Sequence, residues 1–186
     1  DIYPQFDPSI HVIDREGDPR AVTHLSFDVG NFAAVIFGQE IQISVRDITG
    51  KKSPEKGLLI IDQMLPENIS VDAICYKIKT EREWIISSSS VICTDPTTDR
   101  DEMAALRKHF PGVRIVRRER GDASYPVIAG IRTVRRALKD ALGNVRLYFS
   151  RSLYGTKRGI LDVLPRYKFR EGSEEIPVKD NQGDHI

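Results

Sequence analysis

The sequence predicts an α/β protein: a mixed sheet in which an antiparallel meander precedes parallel strands, with helices on both faces. Three observations carry this. β-rich runs crowd the first third of the chain, separated only by short turns. Beyond residue 70, short apolar runs alternate with longer helical patterns. At 186 residues the chain is long enough to bury a good core as one domain, or one domain with a small appendage.

Residues 1–20 carry acids and prolines without clear periodicity and read as a linker or arm. Three β-rich runs follow at about 22–28, 32–38 and 41–48, joined by turns at Gly30-Asn31 and Gly38-Gln39. "GLLIIDQML" extends or edges this sheet. Ser70 caps a helix over 70–84, in which Val71, Ile74, Ile78 and the later Ile85 fall near one face. "VICTD" (91–95) reads as a short buried strand. "DRDEMAALRKHF" (99–110) is a helix with acids in its first turn and bases in its last. "VRIV" (113–116) is a further strand. The helix over 126–142 has Pro near its start and Gly143 just past its end. "VRLYF" (145–149) is another strand, and 159–169 a short helix interrupted by Pro165.

Composition narrows the function. No apolar run approaches the roughly 18 residues that a membrane span needs, and no signal peptide opens the chain, so no membrane partner is expected. Cys75 and Cys93 sit in apolar segments without metal-ligand spacing and read as reduced core thiols. His11, His24, His109 and His185 are scattered, so a zinc site is not expected. A net charge near zero conceals a segregation. Residues 107–170 hold 17 Lys and Arg against 4 Asp and Glu, whereas the rest holds 11 against 23. Arg predominates over Lys in the basic stretch, which favours a polyanion partner, because guanidinium pairs bidentately with phosphate.

In the predicted sheet the first strand and the strand after the first helix lie side by side and parallel. Asp28 ends the first and Asp95 the second, so both acids emerge at the carboxyl edge, where open α/β sheets bind ligands. Two carboxylates held together repel unless they share a proton or a cation, and Mg²⁺ suits the second solution. Turn chemistry around Gly30-Asn31 and capping by "TDPTTD" are the competing readings. A two-metal site needs a third acid; Asp184 in "KDNQGDHI" is the candidate, with Asp180 equally available.

"SFDVG", "VICTDPTTD", "GDASYPVIAGIRTVRRAL", "NVRLYFSRS", "GILDVLPRYKF" and the closing "GDHI" together resemble the nuclease domain of the large terminase subunit of tailed bacteriophages, an RNase H-like fold. "YPQFDPSIHVI" resembles the segment entering that domain from the ATPase. "GDHI" resembles the start of an Asp-His-x-x-Asp-Ala motif whose second Asp lies beyond Ile186, and Val29 stands where the family often has Pro. No G-x-x-x-x-G-K-[ST] loop occurs, so the chain is expected to lack the ATPase half, with 1–20 as linker and 21–186 as nuclease domain.

The resemblance implies two-metal hydrolysis of concatemeric viral double-stranded DNA during genome packaging, using Mg²⁺ or Mn²⁺. Asp28 is then expected to bridge both ions, with Asp95 and Asp184 each completing one. Asp99 becomes an outer-shell ligand or a helix cap, and His185 a water or phosphate contact or a structural residue. Arg117, Arg118 and Arg120 after a strand, Arg132, Arg135 and Arg136 on a helix, and Lys157 and Arg158 in a Gly-flanked loop become contacts to the DNA backbone. Implied partners are the ATPase domain of the same full-length protein, the portal and the small terminase subunit, at the procapsid portal in the host cytoplasm. Two other classes remain: a non-catalytic DNA- or portal-docking module, and an actin-like or sugar-kinase-like phosphotransferase, which "DVGN" also resembles.

Overall fold

The computed structural model describes residues 1–30, 32–95, 97–117, 126–169 and 171–172. Its elements in chain order are α1 (Pro8–His11), β1 (Val12–Ile13), β2 (Thr23–Asp28), β3 (Ala34–Arg46), β4 (Lys52–Met64), α2 (Val71–Glu81), β5 (Val91–Thr94), α3 (Arg100–His109), β6 (Arg114–Arg117), α4 (Pro126–Leu138), β7 (Leu147–Ser150) and α5 (Ile160–Val163). The strands form one mixed sheet in the order β1-β7-β4-β3-β2-β5-β6. β2 pairs antiparallel with β3 and parallel with β5, and β5 pairs parallel with β6. The chain divides into two compact units, residues 17–39 with 62–120 and residues 1–16 with 40–61 and 121–186.

In the first of these units, alternation builds the core strand. Thr23, Leu25 and Phe27 point to one buried face of β2, while Ser26 is exposed. Val35 and Phe37 of β3, Ile92 of β5, and Ile74, Cys75 and Ile78 of α2 are all at most 1% exposed. Each fully buried Leu, Ile or Phe contributes about 1.5–3 kcal/mol. Ser70 caps α2 by accepting from the Ala73 N–H, as its position predicts. Ile85 departs from the predicted helix face. It lies beyond the C-cap at Arg82, is exposed, and forms a parallel bridge with Val22.

The largest difference from the sequence reading is in the meander. The predicted runs 32–38 and 41–48 are a single strand, β3, and the third strand is β4, which absorbs "GLLIIDQML". Gly38 is no turn: it sits in the ladder opposite His24. Gln39 is buried because its amide donates to Asp18 O at 2.8 Å and to Thr23 Oγ1 at 2.9 Å, while its oxygen accepts from Asp18 N at 2.9 Å. Those partners lie far away in sequence and override the local turn propensity. Cys93 corrects a second expectation. The period-2 alternation of β5 buries Ile92 and Thr94 and leaves Cys93 exposed, whereas Cys75 is buried and its thiol is pushed up to about 12 by that burial.

In the other unit, β1 pairs parallel with β7 and β7 parallel with β4. Residues 1–16 belong to this unit. Ile2 and His11 are fully buried, Ile2 N donates to Tyr167 O at 2.8 Å, and Tyr3 stacks on Tyr167. His11 Nε2 donates to the C=O of Leu138, the last residue of α4, at 2.8 Å, satisfying a carbonyl that the helix end leaves without a partner. In the neutral ring, Nδ1 then accepts the Asp7 N–H at 3.0 Å. α4 stops four residues short of the predicted 142, because the Asp140 carboxylate takes the Leu142 and Asn144 N–H groups and turns the chain. Pro165 ends α5, whose continuation over Leu164–Arg166 is a 3₁₀ turn.

Candidate metal centre at the carboxyl edge

Register fixes the centre. Leu25 pairs with Ile92, Ser26 with Cys93 and Phe27 with Thr94, and Asp28 and Asp95 are the residues that directly follow the last of these pairs. Neighbouring strands lie about 4.8 Å apart, which brings two half-buried carboxylates to one edge. This is the juxtaposition that strand order alone predicts.

The loop after β5 determines how Asp95 is presented. Thr97 N donates to Asp95 Oδ1 at 2.7 Å, and the Thr97 hydroxyl donates to the same oxygen. Thr98 N goes instead to the Asp95 carbonyl at 3.2 Å, and the fully buried Thr98 hydroxyl has no hydrogen-bond partner among the described residues. Asp99 caps α3. Its Oδ1 accepts from Glu102 N and its own N–H donates to Glu102 Oε2, both at 2.8 Å, a reciprocal capping box. Of the two roles open to Asp99, the cap is therefore the one its hydrogen bonds occupy.

The sequence reading missed a further acid. Phe32 forms an antiparallel bridge with Glu67, and Ala33 N donates to Pro66 O at 3.0 Å, so exposed Glu67 flanks the turn that follows Asp28. No local pattern marks Glu67, since its neighbour is 35 positions away in the chain. Arg117 ends β6 in register with Thr94, hence at the same edge, and is exposed. Arg118, Arg120, Asp180, Asp184 and His185 lie outside the described residues.

The remaining predicted cations lie in the other unit. Arg132 and Arg136 are on α4, and both are exposed. Arg135 is engaged internally: its Nε donates to Ile2 O at 2.6 Å and its guanidinium lies 5.6 Å from the Phe169 ring centroid. Lys157 and Arg158 are exposed in the turn before α5; Arg158 takes a left-handed φ of 61° and its N–H donates to Asp162 Oδ2 at 3.2 Å.

Asp28 and Asp95 offer hard oxygen donors, the chemistry that suits Mg²⁺ or Mn²⁺, ions that accept one or two carboxylates and keep waters. Among the described residues no group of three His, Cys, Asp or Glu is arranged to hold a metal. The described donor set thus fits a cation held by two carboxylates, completed by water and by a ligand from elsewhere.

A seven-stranded mixed sheet with the internal order β4-β3-β2-β5-β6, two strands lying beyond β2 and parallel to it, defines an RNase H-like α/β domain. Among the solved structures that share the fold are those of the large terminase from a thermophilic bacteriophage. One crystal form superposes with a TM-score of 0.67 at 18% identity, covering 97% of this chain and 41% of that one. Its complex with ADP gives 0.67 at 19% identity, over 98% and 41%. Its complex with ATP-γ-S gives 0.66 at 20% identity, over 97% and 41%. The chain therefore spans about two fifths of the terminase it matches. The likeness is one of fold. No family model matches the sequence, nor does any curated protein. No helix among the described residues is long and apolar enough to cross a membrane.

Proposed function

We propose that this chain is the nuclease domain of a large terminase, a metal-dependent endonuclease that cuts concatemeric viral DNA during genome packaging. The observation that supports it most is the parallel β2–β5 pairing, whose last register pair, Phe27 with Thr94, is followed in each strand by an acid, Asp28 and Asp95. Two carboxylates at the ends of neighbouring strands repel, and a divalent cation relieves that repulsion. The absence of a G-x-x-x-x-G-K-[ST] loop from the sequence favours the nuclease over the ATPase portion.

In this reading Asp28, Asp95 and Asp184 hold Mg²⁺ or Mn²⁺. When bound, the metal lowers the pKa of a water and offsets charge on the scissile phosphate. The reaction adds water to a phosphodiester and releases a 3′-hydroxyl. The chain's own residues hold the cation and seat the DNA. Arg117 contacts phosphate near the cut, while Arg132, Arg136, Lys157 and Arg158 grip backbone elsewhere on the duplex. Backbone contacts carry no sequence information, so binding is expected to be sequence-tolerant and steeply salt-dependent. The partners would be double-stranded DNA, the ATPase domain of the full-length protein, the portal and the small terminase subunit, at the procapsid portal in the host cytoplasm.

Conversion of supercoiled plasmid to nicked and linear forms, with Mg²⁺, Mn²⁺ or EDTA, tests the reading. Cleavage is expected to require metal and to fall at least about a hundredfold in Asp28→Asn and in Asp95→Asn, the upper end of what disturbing a metal's surroundings costs. Cleavage that survives both substitutions would overturn it. DNA binding without scission in any variant would instead identify a docking module.

A further inference from the structure

We propose that Thr97 is a positioning residue for Asp95, occupying one carboxylate oxygen so that the site selects a small octahedral cation over Ca²⁺. The inference rests on the nuclease reading above and concerns how its second carboxylate is held. The backbone donors of the loop are spoken for. Pro96 has no N–H to give, being proline. Thr97 N and the Thr97 hydroxyl both go to Asp95 Oδ1. Thr98 N goes to the Asp95 carbonyl, and Asp99 N to Glu102 Oε2. Among the described residues none donates to Oδ2, which is left to ligate.

The chemistry follows from that division. An oxygen already accepting two hydrogen bonds is a poor second arm for a chelating carboxylate. Asp95 is thereby restricted to one-oxygen coordination. Mg²⁺ and ions of its kind take that mode readily at about 2.0–2.1 Å, while Ca²⁺ gathers six to eight oxygens at about 2.3–2.6 Å and often takes both from one carboxylate. The Thr97 hydroxyl therefore does two things: it fixes the carboxylate rotamer and it withholds Oδ1 from a larger ion. The side chain is exposed, so its packing contribution is small.

Calorimetric titration of Mn²⁺ and of Ca²⁺ into the whole chain, without DNA, tests this. Wild type, Thr97→Val, Thr97→Ser and Asp28→Asn would be compared, each with a thermal melt. Val matches Thr in shape and keeps the backbone N–H but loses the hydroxyl; Ser keeps the hydroxyl. Thr97→Val is expected to bind Mn²⁺ about tenfold more weakly, in the range found for outer-shell substitutions, with the Ca²⁺ to Mn²⁺ affinity ratio raised. Thr97→Ser is expected to match wild type. Equal affinities and an equal ratio in wild type and Thr97→Val would overturn the inference while leaving the nuclease reading intact, provided Asp28→Asn still lowers binding. Weakening in Val that Ser does not restore would also overturn it, marking the effect as one of loop shape. A folded wild type that binds neither ion would overturn both.

Discussion

Asp140, in the loop after α4, spends both carboxylate oxygens on its surroundings. Oδ1 accepts from Leu142 N and Asn144 N at 2.9 Å each, and Oδ2 from Asn144 Nδ2 at 3.1 Å and Arg146 Nη1 at 2.6 Å. Asn144 in turn brackets Arg46, accepting its N–H at 2.7 Å and donating to its C=O at 2.9 Å, while Arg146 Nε reaches Glu55 at 2.8 Å. Asp95, in the loop after β5, commits Oδ1 to its own turn. Both acids organise a tight turn. One is saturated and works as a structural tie; the other has one oxygen that no described residue bonds. Counting donors around a carboxylate thus separates a saturated fastener from an acid with an oxygen in reserve better than its exposure does.

That contrast breaks down if the saturated acid proves dispensable for stability. Asp140→Ala is expected to cost about 2–3 kcal/mol, for charge-assisted bonds partly screened by solvent, and so to lower the midpoint of thermal unfolding by about 5–10 °C. The same tie has a pH signature. The Arg146 guanidinium beside Asp140 holds its carboxyl well below the usual carboxylate range. A depressed carboxyl contributes stability that is fully present above its unfolded value near 4 and is lost as pH falls through the folded value. Acid unfolding followed by circular dichroism should therefore lose part of its slope below about pH 4 in Asp140→Asn.

Smaller effects sharpen the comparison. Asn144→Ala leaves the Arg46 N–H and C=O without their side-chain partner, and is expected to cost about 1–2 kcal/mol in urea titration. Asp99→Ala removes the cap of α3 and should cost about 1 kcal/mol, with metal affinity unchanged if capping is its whole role. Asp95→Asn comes last in stability. Its retained oxygen still accepts from Thr97, so unfolding should shift by no more than about 0.5 kcal/mol, even as metal binding is lost.

Much of the edge was legible because its signals are local. Alternation marked β2 and β5 to within a residue or so, and Asp99 with Glu102 spelled out the capping box that starts α3. Pairing β2 with β5 needed only the parallel, crossover reading of the elements between them. The rest depended on distant partners. Gly38-Gln39 carries ordinary turn residues, and only Asp18, Thr23 and His24 make it strand. α1 and β1 are too short to show a period, and β1 exists because β7 lies beside it. Arg135 shares a helical pattern with Arg132 and Arg136, yet Ile2 and Phe169 draw it inward. Glu67 had no signal at all, since a bridge to Phe32 is invisible until the chain is folded.

The exposed thiol on β5 has a practical consequence. Cys75 is sealed inside α2 and Cys93 faces out, so a maleimide dye added to the folded protein would mark a single position. That position stands level with Ser26, one rung from Phe27 and Thr94, and two residues before Asp95. Fluorescence from such a label would test whether an ion or a duplex reaches the edge, in a chain that needs no engineered cysteine to carry it.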